Sequence, residues 1–376
     1  MPFDSFVRML RVHFPLHKAR LHCLARFLVA LFSANTVNLV RIAHVFASRA
    51  TPDSCHRRLR RFLDQVPLSQ ESIARFVVRL FFPPQARLRL TLDRTTWHFG
   101  KHCFNILVLA VAHRGIALPL FWLFLGKKGG SNTAQRIELM KRFVCCFGRH
   151  RIECLLADRE FYGRDWFAWL HGQCIRFTVR LKETLLVANT RGFSVDIAGM
   201  FEDLKPGQGR MSRRKRRLFA TGGVRVYVVG CRTLTGALCV VASSFAPQTA
   251  LQRYQWRWMI ETLFHALKSR GFWLEETHLT KPERVGRLLG VLTLAVACAQ
   301  ATGMWRDSQA PTRRKRHGRL QHSVFRRGLD WIQDCLRQAL GGTLDLTPFL
   351  RLFVPNPHPG LLTVPLGHGN PFRIWR

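Results

Sequence analysis

Acidic residues are scarce in this sequence. Its 376 residues hold 22 Asp and Glu against 59 Lys and Arg, a formal net charge of +37. Self-repulsion on that scale destabilises a compact chain unless a polyanion offsets it, so nucleic acid is favoured as partner over an acidic membrane surface. The 11 cysteines are odd in number and include no CxxC pair, which argues against a zinc ribbon and a fully paired disulfide framework and for a reducing, cytoplasmic setting. The adjacent Cys145 and Cys146 read as small buried hydrophobes. None of the 16 histidines stands in an HxH or HExxH arrangement, so zinc is not expected. The Gly-rich GKKGGS stretch lacks the GxxxxGK[ST] spacing of a nucleotide loop and reads as a basic loop near DNA. No signal peptide is apparent, since the apolar FLVALFSA follows directly on Arg26. The uncharged run Leu288 to Trp305 is interrupted by Gln300, Thr302 and Gly303, so a buried helix is expected there and no membrane partner. Internal repeats and low-complexity tracts are also missing.

What is present is a chain with 47% hydrophobic residues, enough to bury a sizeable core. Residues 1–82 read as helical, with Asn35 or Thr36 expected to cap one helix and Thr51 or Asp53 the next. That next helix carries Arg57, Arg58, Arg60 and Arg61 and suits a helix-turn-helix reader or a solvated basic face. From residue 83 to 182 the pattern becomes β-β-β-α-β-α-β: RLRLTLD, FNILVLAVAH and IALPLFWLFL form a meander, followed by a helix, the strand IECLLAD, another helix and IRFTVRL. That order is the one of a ribonuclease-H-like α/β core. Residues 183–249 read as a β-rich insertion with an exposed basic loop, KPGQGRMSRRKRR, holding seven basic residues in thirteen. The core resumes over 250–305, and 306–376 form a basic helical region whose tail, Pro- and Gly-rich from Thr347, wraps the surface.

Two of the few carboxylates stand out. Asp93 in TLDRTTW and Asp158 in LLADREFYG fall at the expected ends of the first and fourth strands, which lie side by side in a ribonuclease-H-like sheet. Two anions placed together call for a cation, and Mg²⁺ takes oxygen ligands of this kind. In YQWRWMIETLFHALK, Tyr254, Arg257, Glu261 and Lys268 follow one another three, four and seven residues apart, one stripe of a single helix. Glu261 would complete a cluster able to hold two ions for in-line displacement at phosphorus. Taken singly, a strand-end Asp more often caps a turn and a helical Glu pairs with a neighbouring cation. Glu160 is left out of the cluster, because it shares a face with Asp158 only if the strand continues.

TLDRTTW, LADREFYG and the Y-x2-R-x3-E-x6-K helix resemble the DDE transposases of bacterial insertion sequences, specifically the insertion-sequence-4 family. GKKGGSN and KRHGRLQHSVFRRGLDWI add to the likeness, which spans about residues 35 to 335. The resemblance implies Asp93, Asp158 and Glu261 as a Mg²⁺-binding catalytic triad, Mn²⁺ substituting, with Tyr254, Arg257 and Lys268 contacting DNA near the cleaved end. It also implies a β-strand insertion between the second Asp and the Glu. Some relatives stack a flipped base on a Trp in that insertion, yet no Trp occurs here between Trp169 and Trp256. Arg159 reads either as a carboxylate-orienting or phosphate-contacting residue or as an ordinary surface one, and Arg57, Arg58 and Arg61 as contacts to the element end.

The function expected is metal-dependent cleavage and strand transfer of double-stranded DNA at terminal inverted repeats, by a homodimer in the synaptic complex. A DDE-type nuclease that cuts without joining, and a decayed DNA-binding repressor, remain open. A structural RNA-binding protein accounts for the charge and leaves the carboxylates unexplained.

Overall fold

A computed structural model describes residues 2–100, 102–219, 222–316 and 320–340. The tail from Thr347 lies outside them. Five helices open the chain: α1 (Pro2–His13), α2 (Lys18–Ala34), α3 (Leu39–His44), α4 (Pro52–Gln65) and α5 (Gln70–Phe81). Thr51 caps α4 as expected, its side chain accepting from the Ser54 amide. Neither Asn35 nor Thr36 opens α3. Asn38 does so, while Asn35 closes α2 in the left-handed conformation that Asn tolerates.

The strands that follow are β1 (Leu88–Phe99), β2 (His102–His113) and β3 (Ile116–Phe124), an antiparallel meander. Helix α6 (Thr133–Phe147) starts on a reciprocal cap between Asn132 and Gln135. After it come β4 (Ile152–Ala157), α7 (Arg164–Gly172) and β5 (Phe177–Arg180). β1 pairs with β4 in parallel, and β4 with β5, giving the order β3-β2-β1-β4-β5 expected of a ribonuclease-H-like core.

The region expected as an insertion does not stand apart from that sheet. A small hairpin, β6 (Leu186–Ala188) with β7 (Ser194–Asp196), is separate, but β8 (Gly209–Met211), β10 (Arg225–Arg232) and β11 (Leu238–Ser243) extend the core sheet through an antiparallel β5–β11 pairing, with β9 (Arg216–Arg217) on β10. Among the described residues the sheet has nine strands as a result. The physical reason is visible in LCVVAS: all six residues of β11 are buried, a central strand's pattern.

Four helices complete the described chain: α8 (Ala250–Gln255), α9 (Trp258–Lys268), α10 (Pro282–Gln309) and α11 (Val324–Leu340). α10 is long and apolar enough to cross a membrane, yet most of its apolar stretch is buried within the protein. The N-terminal helices share one continuous core with it, so the change near residue 82 is one of element type within that core. α10 and α11 meet through glycines: a Cβ on Gly303 would sit 1.9 Å from the Val324 carbonyl oxygen.

Candidate active site

β4 ends at Ala157, and the last rung of its parallel ladder with β1 is Leu92↔Ala157. Asp93 and Asp158 each follow that rung by one residue, which sets the two carboxylates on neighbouring chains. Asp93 lies inside β1, opposite Val108 of β2, and not at a strand end as expected. β1 runs on to Phe99 because Arg94 to Phe99 keep pairing with β2 after β4 has stopped.

The expected single helix of the stripe is broken. α8 and α9 are separated at Trp256 and Arg257, where the amides of Arg257, Met259 and Ile260 bond three residues back, a tightening of 3₁₀ type. Arg257 points inward there, its side chain 5% exposed. Its Nη1 donates to Asp93 Oδ2 at 3.2 Å, and its Nη2 donates to Glu261 Oε1 in a still shorter contact. Tyr254, 1% exposed, donates its hydroxyl to Asp158 Oδ1 at 3.1 Å. The structure therefore bridges Asp93 and Glu261 through Arg257 and pairs Tyr254 with Asp158, which follows the same β1–β4 rung as Asp93. Lys268 is half-buried and donates to the Thr96 carbonyl at 2.8 Å.

The electrostatics follow from burial. Desolvation pushes the Asp93 carboxyl up to about 7, against the pull of Arg257 and the Arg94 amide, and Asp158 and Glu160 add repulsion. Burial opposes the charge of Arg257, but Tyr254, Asp158, Asp93 and Glu261 together outweigh it and hold the guanidinium above its ordinary range. Burial also raises Tyr254, so its hydroxyl stays a donor, and lowers Lys268.

Three oxygen-bearing side chains suit a hard divalent ion in kind. As they stand, no group of three His, Cys, Asp or Glu among the described residues is placed to hold one, and Arg257 bridges Asp93 and Glu261.

A second layer was not foreseen from the sequence. Arg94 donates to both oxygens of Glu160, at 3.2 and 3.1 Å, and to Asn105, which occupies Glu160 in an ion pair. Asn105 donates to the carbonyls of Lys127 and Gly129, both at 2.8 Å, and so holds the GKKGGS loop beside the site. The buried Arg136 ties Ser131 at the end of that loop to the carbonyls of Glu160 and Tyr162. Asn105 had a legible signal, an amide inside the otherwise apolar FNILVLAVAH.

The remaining expected contacts are not part of these hydrogen-bonded groups. Arg159 is exposed beside Asp158, and Arg57 is exposed on α4. Arg58 and Arg61 line a groove of about 590 Å³ with Arg20, His22 and Arg26 of α2.

An acid inside β1, a second acid just past the end of β4 and a helical glutamate beside a mixed sheet define an α/β protein with an acidic site at the end of its parallel ladder. The model of the transposase DDE domain family matches residues 93–298, more than half of the chain and a span that includes Asp93, Asp158, Tyr254, Arg257, Glu261 and Lys268. The chain belongs to that family of transposases. The cryo-EM structure of the piggyBac transposase synaptic complex with hairpin DNA is distantly similar, over 96% of this chain and 84% of that one, at 12% identity and a TM-score of 0.44. No curated protein matches the chain.

Proposed function

We propose that this transposase belongs to the insertion-sequence-4 group, binds the terminal inverted repeats of its element, and cuts and joins DNA at Asp93, Asp158 and Glu261. The observation that carries the reading is the shared rung: Asp93 and Asp158 leave the Leu92↔Ala157 pair together, and Arg257 links Asp93 to Glu261. When bound, a pair of Mg²⁺ ions, or Mn²⁺ in their place, supplies activation of the attacking oxygen and stabilisation of the leaving one. Tyr254 orients Asp158 from inside the protein, and Arg94 keeps Glu160 out of the cluster. Lys268 fixes the β1 backbone at Thr96 from α9 and offers a positive charge to a nearby phosphate. Arg57, Arg58 and Arg61, with the groove that Arg58 and Arg61 line, supply phosphate contacts to the element end, whose affinity falls with salt. Synapsis of two ends calls for a homodimer, acting in the cytoplasm.

The test is incubation of the full chain with labelled DNA carrying the ends that flank its gene, a target plasmid and Mg²⁺. Cut ends joined to target are expected. Cutting without joining would make the protein a nuclease, and binding without cutting a repressor, and either outcome overturns the proposal.

A further inference from the structure

A triad of carboxylates that binds metal leaves Arg257 unexplained. A DNA-contacting arginine should face solvent, yet this one is buried against two of the acids that would bind the ion. Resting on the triad proposed above, we infer that Arg257 is a built-in counter-cation: it occupies the place between Asp93 and Glu261 until a divalent ion displaces it, so that guanidinium and metal compete for the same oxygens.

Three observations support this. Arg257 donates to Asp93 and to Glu261 at once, as a bridging cation does. A divalent ion on those same oxygens, within hydrogen-bond distance of a guanidinium, would repel it. The grip is also incomplete, since the buried Nε of Arg257 has no hydrogen-bond partner, which leaves part of its burial cost without compensation. Finally there is somewhere to go. The guanidinium lies 5.5 Å from the ring of Trp258, which is 38% exposed, so a side-chain rotation carries the charge across an aromatic face towards solvent and an incoming phosphate. Without metal the bridge prevents the facing acids from repelling one another. With metal, Arg257 is released towards DNA, which couples loading of the site to capture of its substrate.

Calorimetric titration of the full chain with Mn²⁺, without DNA, tests the exchange in wild type, Arg257→Gln, Arg257→Met and Asp93→Asn, with thermal melting in parallel. Arg257→Gln is expected to melt lower without metal, to bind Mn²⁺ at least tenfold more tightly than wild type, and to regain its melting temperature on binding. Equal or weaker binding by folded Arg257→Gln, with binding impaired in Asp93→Asn, overturns the exchange and leaves the triad standing. Should Arg257→Gln not fold, Arg257→Met, which carries no charge and donates no hydrogen bond, is judged by the same criterion. Undiminished binding in Asp93→Asn, or none in any form, overturns the triad and the exchange with it. Tryptophan emission gives a second readout in the wild type: Mg²⁺ should change it, and Trp258→Phe should abolish the change. Mg²⁺ binding with no Trp258-dependent change contradicts the exchange.

Discussion

Replacing Tyr254 by Phe separates the DNA contact that the family resemblance implies for this residue from the carboxylate contact it makes in the structure. At the surface Tyr254 would touch DNA. Buried to 1% exposure with its hydroxyl on Asp158, it is placed to orient a carboxylate, the role proposed above. The substitution keeps the ring, which packs with Leu251, Val229 and Val241, and removes the hydroxyl that donates to Asp158. A hydrogen bond to a charged acceptor contributes about 1.5–3 kcal/mol, but Asp158 is only half-buried and water can replace the lost donor, so the expected loss of stability is nearer 1 kcal/mol. Free rotation of Asp158 should cost more in the reaction, roughly 10- to 100-fold in cleavage rate, equivalent to about 1.4–2.8 kcal/mol of transition-state stabilisation. Gel-shift affinity for the element end should stay within about twofold, because a buried ring has no DNA to lose. Single-turnover cleavage of pre-bound ends, measured beside the gel shift, decides the matter. Affinity reduced tenfold with undiminished cleavage of bound DNA would refute the positioning role.

Two further outcomes come from the packing. A Cβ on Gly328 would lie 1.8 Å from the Ala299 carbonyl oxygen and 2.5 Å from the Gly303 amide nitrogen, so Gly328→Ala should force α10 and α11 apart and cost about 3 kcal/mol. Denaturant unfolding measures it, and a loss below about 0.5 kcal/mol would contradict the close crossing. His113 stands between Phe82 and Phe81, at 4.9 and 5.3 Å, with a buried, unpartnered Nε2, and burial lowers it to about 3, with Arg114 and Arg89 adding to the effect. A depressed histidine favours the folded state above its unfolded pKa near 6.5, and that advantage drains away as pH falls from about 6.5 towards 3. At pH 5 the wild type should have lost about 1–2 kcal/mol that His113→Phe keeps, and parallel pH profiles of the two proteins would refute the assignment.

Much of this was legible in the sequence because it rests on short-range pattern. The meander, the capped α6 and the parallel β4 follow from alternation, cap residues and apolar runs, and the strand order follows from their succession. Asp93 and Asp158 were visible because carboxylates are rare and each interrupts an apolar strand pattern. What was not legible depends on long-range pairing. Asp93 looks like a strand end, since the residues after it, RTTWHF, are polar at their start, yet β2 carries β1 on for six more residues that β4 does not pair. Among the described residues β11 is hydrogen-bonded to the core strands through β5, an edge that no local pattern specifies. The break at Trp256 and Arg257 contains neither Pro nor Gly, so helical periodicity ran straight through it. The inward turn of Arg257 is fixed by Asp93, 164 residues away, and the pinning of Lys268 by Thr96, 172 away.

The central claim is that Asp93, Asp158 and Glu261 form the cleaving centre. Its most direct test is cleavage of labelled element ends in Mg²⁺ by wild type, Asp93→Ala, Asp158→Ala and Glu261→Ala, with end binding measured on the same preparations. Each variant should bind the ends and cut at least a thousandfold more slowly, about 4 kcal/mol of lost transition-state stabilisation. Wild-type cleavage by any one of the three would contradict the account.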